Sequence, residues 1–343
     1  MKNMIKYQEI LEGKLFMERR VTILGAGAWG TAIANHLSQN NVETMLWCFE
    51  AEVAQEIEIQ KTNNRYLPDI KLQHNVKATT DLSAALSFSE FIVEAIPVKH
   101  LRNVLTMTKQ HIKHEHRWIM TSKGIESDTF MLPSEILRDV LGYQPNVSAL
   151  SGPNFAKELI QKNVTAAVIA SKDDELAKQV SSIFGNDHFK TYISDDLIGV
   201  QAGGALKNVY ALTLGILRGL EYSENTVAFV FTKSLEEMTQ TCAQIGGRKE
   251  TMYGLAGLGD LFLTGNCALS KNFKCGKLLG QGINLGDISK KYYMLPEGFS
   301  TLKSLMTFSK QFGISLPICQ ATHDFIFEGK SIKNLLYKLL EQK

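Results

Sequence analysis

Residues 21–31 read VTILGAGAWGT, a short apolar run that leads into a glycine-rich turn and then into a helical pattern. The glycines follow the spacing G-x-G-x-x-G. Gly25 permits a tight turn, Gly27 lets the backbone approach a pyrophosphate, and Gly30 lets the helix pack closely on the strand. Free N–H groups at the start of the helix attract an anion. The spacing alone also fits an ordinary glycine-rich turn, but the strand before it and the helix after it favour dinucleotide binding.

The first half of the chain alternates short apolar runs with helical patterns. Several runs are almost continuously apolar, which is typical of strands covered on both faces of a parallel sheet. We predict strands at residues 21–24, 44–48, 91–96, 118–121, 147–150, 166–170 and 189–193. Helical patterns between them lie at 31–39, 51–60, 101–109 and 134–141. This alternation predicts an α/β fold that begins with a Rossmann-type doubly wound sheet.

The pattern changes after about residue 194, where long helical stretches at 195–220 and 225–245 replace the alternation. We therefore predict that a mostly α-helical C-terminal domain follows the sheet. The predicted division is an N-terminal extension at 1–20, a dinucleotide-binding Rossmann domain at 21–194, and a helical substrate and catalytic domain at 195–343.

The composition argues against several classes of protein. Lys and Arg number 37 and Asp and Glu 35 among 343 residues, so the formal net charge of +2 gives no strong field for nucleic acid or an anionic membrane. No apolar run approaches the roughly 18 residues of a membrane-spanning helix, and the start lacks the apolar centre of a secretory signal. The five cysteines include no Cys-x-x-Cys pair, so we predict neither disulfides nor a zinc site. We expect a cytoplasmic protein with no metal, nucleic-acid or membrane partner.

Three histidines, His111, His114 and His116, are spaced closely enough to suggest metal ligands. They stand among charged residues, which is more typical of a solvated surface turn. We predict that all three lie on such a turn and bind no metal.

The end of the second predicted strand bears on the choice of cofactor. Glu50 lies about 20 residues after Gly30, where an acidic group accepts hydrogen bonds from the adenosine ribose of NAD and a cation favours NADP. Phe49 and Glu50 supply no cation at this point. The sequence therefore favours NAD over NADP, with an ordinary solvated loop carboxylate at Glu50 as the alternative.

Further segments follow the glycine turn in the order and at the spacing found in a known family. They are TSKGIE at 121–126, SGPNFA at 151–156, ALKNV at 205–209, GLAGLGDL at 254–261, SKN at 270–272 and PEG at 296–298. With the glycine turn, these segments make the chain resemble the bacterial NAD(P)-dependent sn-glycerol-3-phosphate dehydrogenase family from about residue 21 to 330. The resemblance implies a Rossmann domain followed by a helical domain, and a homodimer. It also implies reversible reduction of dihydroxyacetone phosphate to sn-glycerol 3-phosphate with NAD(P)H, which supplies the phospholipid backbone.

The resemblance also implies roles for individual residues. Lys207 would be the catalytic acid/base, with Lys123 and Asp260 beside it. The residues implied to hold the small phosphorylated substrate are Lys123, Gly152, Asn154, Lys207, Asp260, Ser270, Lys271 and Asn272. Together with the turn and the second strand, the resemblance predicts these cofactor residues: Gly25, Gly27, Ala28, Trp29, Gly30, Phe49, Glu50, Lys123, Ala156, Lys271, Leu295 and Glu297.

The implied reaction explains why a lysine is needed. Hydride transfer to a ketone leaves negative charge on the carbonyl oxygen, and a cationic acid nearby stabilises that charge by donating a proton. The pKa of Lys207 must be lowered for this role; desolvation and the second ammonium of Lys123 would lower it, and Asp260 would raise it. The sequence does not show which effect is larger.

Each of these residues also has a structural alternative. Lys207 stands in a helical pattern, where most lysines are solvated or extend along an apolar surface. Asp260 follows a glycine-rich stretch and could simply cap a helix, and Ser270 could be an N-cap without a ligand. At the level of the whole chain, the alternatives are a reductase for another small keto acid and a non-catalytic dinucleotide sensor.

Two positions depart from the family pattern. Lys271 stands where the family usually has Arg, so the positive charge is kept but the two-pronged contact with phosphate is lost. Cys48 and Phe49 stand where the family often has Gly-Arg, which removes a candidate ligand for the 2′-phosphate of NADP.

Overall fold

The computed structural model describes residues 19–291 and 295–341. The N-terminal extension at 1–20 lies almost entirely outside the described residues. The strands are β1 (Arg20–Leu24), β2 (Glu43–Trp47), β3 (Val76–Thr79), β4 (Phe91–Glu94), β5 (Arg117–Met120), β6 (Asn146–Ser151), β7 (Thr165–Ser171) and β8 (Phe189–Ser194). The helices that alternate with them are α1 (Ala28–Gln39), α2 (Ala51–Gln60), α3 (Leu82–Phe88), α4 (Val98–Thr108), α5 (Pro133–Leu141), α6 (Ala156–Ile160) and α7 (Asp174–Phe184).

The second half of the described chain is helical. Its helices are α8 (Leu197–Gly219), α9 (Glu224–Gln244), α10 (Asp260–Asn266), α11 (Lys271–Gly280), α12 (Leu285–Lys291), α13 (Glu297–Phe312), α14 (Pro317–Glu328) and α15 (Lys333–Glu341). A π-helical turn, Leu255–Gly259, leads directly into α10. None of the described helices combines the length and the apolar character that crossing a membrane requires.

All eight strands form one sheet in the order β3-β2-β1-β4-β5-β6-β7-β8. Neighbouring strands are parallel except β6 and β7, which are antiparallel. The strand order runs in both directions from β1, as in a doubly wound sheet, with the glycine-rich turn at the carboxyl end of that strand. The predicted fold class, a Rossmann-type sheet followed by a mostly helical domain, is confirmed. Where one domain ends and the next begins stays a prediction.

The two faces of the sheet carry different apolar cores. Ile23 and Leu46 face one cluster, which also contains buried residues of α1, α2 and α7. Leu24, Ile92 and Met120 face the other, which contains buried residues of α4 and α5. Because helices cover both faces, most strands consist of continuous apolar runs.

Strand β3 was not predicted from the sequence. It has only four residues at the edge of the sheet, and beyond the buried Val76 its side chains are exposed or half-exposed. Neither a continuous apolar run nor a clear alternation therefore marks it.

Helix α8 is the centre of the helical half, with every residue from 199 to 217 buried. Helices α8 and α11 cross in contact at four glycines, which we call the glycine crossing. They are Gly215 and Gly219 from α8 and Gly276 and Gly280 from α11. A Cβ on Gly215 would overlap the carbonyl oxygen of Phe273, and a Cβ on Gly276 would overlap that of Leu212. The crossing brings the two backbones together and sets the first residues of α11 beside the middle of α8.

Candidate active site

The glycine-rich turn between β1 and α1 is open where a pyrophosphate needs room. Gly25 has φ +113°, and a Cβ there would lie 2.6 Å from the carbonyl oxygen of Ala95. A Cβ on Gly30 would overlap the carbonyl group of Gly25, whereas a Cβ on Gly27 would meet no atom within 4 Å. Gly27 is the N-cap of α1, and no side chain caps the first N–H groups of this helix. The turn therefore fits a phosphate group of a dinucleotide.

Ala28, Trp29 and Ala156 pack against the same apolar cluster beside this turn. The indole Nε1 of Trp29 is buried and has no hydrogen-bond partner in the described part of the chain. Because buried polar atoms in proteins are nearly always hydrogen-bonded, an unused donor at this place fits a ligand oxygen.

Glu50 follows β2 and is the N-cap residue of α2. Its Oε1 accepts a hydrogen bond of 2.6 Å from the Tyr66 hydroxyl and lies 3.6 Å from Nη2 of Arg65. The side chain of Glu50 is 22% exposed, and its contact with a ribose stays a prediction. The neighbouring Phe49 is 77% exposed, next to the ring of Trp47.

Lys207 is buried in the middle of α8, with only 5% of its surface exposed. Its Nζ donates hydrogen bonds to Oδ1 of Asp260 at 2.8 Å and to Oγ1 of Thr264 at 2.6 Å. Burial lowers the pKa of Lys207 to about 8, with Asp260 acting in the opposite direction and Lys123 in the same direction. Desolvation is thus the largest effect, and it brings the ammonium close to the range in which it can give up a proton.

Lys123 lies in the loop that follows β5 and reaches the other oxygen of the same carboxylate. Its Nζ donates to Oδ2 of Asp260 at 2.8 Å, to the carbonyl oxygen of Gly152 at 2.9 Å, and to Oδ1 of Asn154 at 3.0 Å. Burial alone would raise the pKa of Asp260, but the two ammonium groups hold it below its ordinary value. Lys123, Lys207 and Asp260 form what we call the lysine–aspartate cluster, which has one formal positive charge in excess.

Two buried polar atoms near this cluster have no partner in the described chain, Oγ of Ser151 and Nδ2 of Asn154. Oδ1 of Asn154 is already taken by Lys123, so its amide nitrogen is free to donate to a ligand. Gly204, on α8, makes room for this arrangement, because a Cβ there would lie 2.6 Å from Oγ of Ser151 and 3.2 Å from Cγ of Lys123.

Asn272 joins α11 to the rest of the site. Its Nδ2 donates to Oδ1 of Asn208 at 2.9 Å, and its Oδ1 accepts from the backbone N–H of Gly298 at 3.0 Å. Asn208 in turn donates to the carbonyl oxygen of Lys123 at 3.1 Å. The side chain of Asn272 is therefore engaged within the protein, which makes it a link between elements.

Ser270 and Lys271 open α11. Ser270 is buried and is the N-cap of this helix, because its Oγ accepts a hydrogen bond of 3.2 Å from the N–H of Phe273; its role toward a ligand stays a prediction. Lys271 is exposed, and no side-chain hydrogen bond or ion pair among the described residues involves its ammonium. A helix start with a solvent-facing ammonium is suited to bind a phosphate dianion.

Glu297 is the first residue of α13, and Leu295 precedes it by two positions. Oε1 of Glu297 accepts a hydrogen bond of 3.3 Å from the N–H of Val98, and a Cβ on Gly124 would lie 2.8 Å from its Oε2. Burial raises the pKa of Glu297. Glu297 thus contacts the sheet half beside the loop of Lys123, whereas Leu295 packs against the apolar core of the helical half.

Sequence profiles described as NAD-dependent glycerol-3-phosphate dehydrogenase N-terminus and C-terminus match residues 20–177 and 196–337. The chain belongs to the NAD-dependent glycerol-3-phosphate dehydrogenase family. The resemblance to this family is thereby confirmed. The two matches together cover both the glycine-rich turn and the lysine–aspartate cluster.

Curated relatives and solved structures agree with this assignment. The chain is 37% identical to the glycerol-3-phosphate dehydrogenase [NAD(P)+] of Carboxydothermus hydrogenoformans, over 94% of this chain and 96% of that protein. It is 36% identical to that of Bacillus subtilis, over 94% of each chain. The crystal structure of glycerol-3-phosphate dehydrogenase from Coxiella burnetii superposes with a TM-score of 0.89 at 31% identity, covering 95% of this chain and 99% of that one. A ketopantoate reductase from Ralstonia eutropha, at 14% identity and a TM-score of 0.57 over 94% of this chain and all of that one, shares the fold alone.

Three further residues of the site had no role assigned from the sequence. Thr264 accepts a hydrogen bond from Lys207, and Asn208 donates one to the carbonyl oxygen of Lys123. Glu94 accepts one from Ser122, the residue before Lys123. Thr264 stands four residues after Asp260, a spacing that puts both on one face of α10. The sequence could therefore have indicated that Thr264 lies beside Asp260. The roles of all the site residues stay predictions.

One prediction about the histidines was wrong. His116 is 2% exposed, and its ring nitrogens pair with the carbonyl oxygen of Leu86 at 3.1 Å and the N–H of Lys113 at 3.1 Å. It is a hydrogen-bonded core histidine, because the turn that carries it folds back under α3.

Proposed function

We propose that the protein reversibly reduces dihydroxyacetone phosphate to sn-glycerol 3-phosphate with NADH or NADPH. The names of its relatives support the substrate. The observation that carries the proposal on this chain is the shared carboxylate of Asp260, which binds Lys207 through one oxygen and Lys123 through the other.

Lys207 acts as the proton donor in the direction of reduction. Its ammonium gives a proton to the carbonyl oxygen of the substrate as negative charge develops there, which leaves a neutral amine and an alcohol. In the reverse direction the neutral amine takes the proton from the hydroxyl group. Asp260 orients Lys207 through the 2.8 Å hydrogen bond, and because Asp260 also pairs with Lys123 it does not neutralise the charge of the site.

The substrate phosphate binds at the start of α11. Lys271 supplies a positive charge, and the first N–H groups of the helix supply hydrogen-bond donors. Asn154 and Lys123 bind the oxygen atoms nearer the reacting carbon, which is supported by the unused Nδ2 of Asn154. Ser270 and Asn272 hold the start of this helix in place.

The dinucleotide, when bound, supplies or accepts the hydride. Gly25, Gly27 and Gly30 form the turn for its pyrophosphate, and the residues proposed to line it further are Ala28, Trp29, Phe49, Glu50, Lys123, Ala156, Lys271, Leu295 and Glu297. The carboxylate of Glu50 accepts hydrogen bonds from the adenosine ribose, so we propose that NADH is preferred over NADPH.

The cellular setting is proposed from the family alone. We propose a cytoplasmic homodimer that supplies the glycerol phosphate backbone of phospholipids. Sedimentation equilibrium of the purified chain tests the dimer, and a single species of monomer mass would contradict it.

Steady-state assay of the purified protein tests the reaction. NADH or NADPH oxidation is followed with dihydroxyacetone phosphate, with dihydroxyacetone and with a small 2-keto acid as substrates. We expect turnover with the phosphate ester and a loss of several orders of magnitude without the phosphate. Folded protein that oxidises neither cofactor with dihydroxyacetone phosphate would refute the proposal; binding of cofactor without turnover would favour a sensor.

A further inference from the structure

Glu94, the last residue of β4, is a buried carboxylate that the proposed reaction does not use. It is 0% exposed, and no ion pair between described residues involves it. Burial raises the pKa of Glu94 to about 7, and its hydrogen bonds act in the opposite direction. Burying a carboxylate lowers the stability of the fold unless hydrogen bonds offset the lost solvation. The hydrogen bonds of Glu94 therefore indicate what keeps a carboxylate at this position.

The carboxylate of Glu94 connects two loops that leave the sheet side by side. Its Oε1 accepts from the N–H of Ile96 at 2.7 Å, and its Oε2 accepts from Oγ of Ser122 at 2.8 Å and from the N–H of Ser122 at 3.3 Å. The ladder between β4 and β5 ends at the pair Glu94 and Met120, followed by one backbone bond from Thr121 to Glu94. The side chain thus continues the connection between the strands beyond the end of the ladder.

The two loops carry the two parts of the proposed site. Ile96 follows Ala95, whose carbonyl oxygen lies against Gly25 of the cofactor turn. Ser122 directly precedes Lys123, whose own carbonyl oxygen is bound by Asn208 at 3.1 Å. The backbone at Lys123 is therefore fixed from the sheet side by Glu94 and from the helical side by Asn208.

We propose that Glu94 is a positioning residue that sets Lys123, and with it Asp260, against the cofactor turn. It acts through Ser122 and touches neither substrate nor cofactor. This inference rests on the proposed function for its kinetic consequence, although the contact itself can be tested without any turnover.

The test replaces the carboxylate by an apolar side chain that a sheet tolerates. Glu94→Val removes all three hydrogen bonds to the loops and leaves the N–H groups of Ile96 and Ser122 without this partner, so we expect a lower thermal midpoint than that of the wild type and compare the kinetics well below it. We expect kcat/KM for dihydroxyacetone phosphate to fall about 10-fold or more, because a small misplacement of Lys123 is enough to slow the reaction. Ser148→Ala is the matched control, since Oγ of Ser148 is also buried in the sheet and bonded to the carbonyl oxygen of Trp118 at 3.1 Å. It should leave kcat/KM unchanged.

A double-mutant cycle separates positioning from a general loss of stability. Ser122→Ala removes the 2.8 Å hydrogen bond from Oγ of Ser122 to Glu94 from the other side, so Glu94→Val with Ser122→Ala should lose no more than the larger single effect. Additive losses, or wild-type kcat/KM in Glu94→Val, would overturn the inference.

Hydrogen–deuterium exchange gives a readout that needs no activity. The peptide that covers residues 121–126 should exchange faster in Glu94→Val than in the wild type, and not in Ser148→Ala. Unchanged exchange in this peptide would overturn the inference. If the wild type fails to reduce dihydroxyacetone phosphate, the proposed function falls and the exchange result still decides the role of Glu94.

Discussion

Lys207 and Asp260 are 53 positions apart in the sequence, yet their atoms Nζ and Oδ1 lie 2.8 Å apart in the interior. An isolated pair of this kind would hold the ammonium in its protonated form. Here Asp260 also binds Lys123, so one carboxylate is shared by two lysines. Burial lowers the pKa of Lys207 to about 8 and Lys123 acts in the same direction, so we propose that Lys207 donates a proton near neutral pH, which leads to the first two predictions.

Replacing Lys207 by methionine keeps the length of the side chain and removes the proton donor. We expect kcat for reduction of dihydroxyacetone phosphate to fall about 100-fold or more, the usual contribution of general acid catalysis. NADH binding, followed by fluorescence, should be retained. Lys277→Met, at an exposed position of α11, is the control and should keep wild-type kinetics. A loss in Lys207→Met that is no larger than in this control would exclude the proton-donor role.

The pH dependence should have opposite signs in the two directions of the reaction. Burial lowers the pKa of Lys207 from 10.5 to about 8. Reduction needs the ammonium, so kcat/KM should fall as the pH rises through about 8; oxidation needs the neutral amine and should rise through the same range. The stability contributed by this group should increase between about 8 and 10.5, because there the unfolded state binds more protons than the folded state. Initial rates in both directions across this range check the prediction, which profiles of the same sign would contradict.

Lys271→Ala should act on binding of the substrate and leave the chemical step intact. Loss of the charge at the start of α11 should raise KM for dihydroxyacetone phosphate about 10-fold, or about 1.4 kcal/mol, with little change in kcat. The difference from the wild type should disappear with dihydroxyacetone, which has no phosphate. A fall in kcat without a change in KM would show that Lys271 has another role.

Glu50→Gln should weaken the discrimination between the two cofactors. The carboxylate of Glu50 would repel the 2′-phosphate of NADPH, so its removal should raise kcat/KM with NADPH relative to NADH roughly 10-fold. Glu52→Gln, on the exposed surface of α2, is the matched control. Dissociation constants from fluorescence should change in parallel, and an unchanged ratio in Glu50→Gln would place the ribose elsewhere.

The glycine crossing should be sensitive to a single methyl group. Gly276→Ala places a Cβ against the carbonyl oxygen of Leu212, so we expect the free energy of unfolding to fall by about 1–3 kcal/mol. Gly286→Ala, on α12, is the control, because a Cβ there would meet only the side-chain oxygen of Asn284, at 3.1 Å. Urea unfolding followed by circular dichroism measures both. Equal stability of the two variants would contradict the close approach of α8 and α11.

The sequence predicts the fold because its apolar runs are long enough to identify covered strands. It does not show the direction of a strand, and so the antiparallel pairing of β6 and β7 was not predicted. Edge strand β3 was not predicted because its sequence shows neither a continuous apolar run nor a clear alternation of apolar and polar residues.

The sequence predicted which residues belong to the candidate site, but only some of the contacts and electrostatic effects among them. The quoted segments contain Lys123, Lys207 and Asp260, which the fold brings into contact. The order of effects on the pKa of Lys207 was not predictable, because desolvation depends on the burial of α8. Glu94 was missed because it stands within an apolar run that predicts a strand, and a single carboxylate does not disturb that pattern.

The glycine crossing limits how the candidate site can move. At the four glycines the backbone of α11 lies directly against the backbone of α8. If one helix slid or rotated on the other, side chains next to these glycines would overlap with backbone atoms. We therefore expect the start of α11, where we propose that the phosphate binds, and the ammonium of Lys207 to move as one rigid body. A motion that admits substrate would have its hinge in segments outside these two helices, and the distance between the start of α11 and Nζ of Lys207 would stay constant.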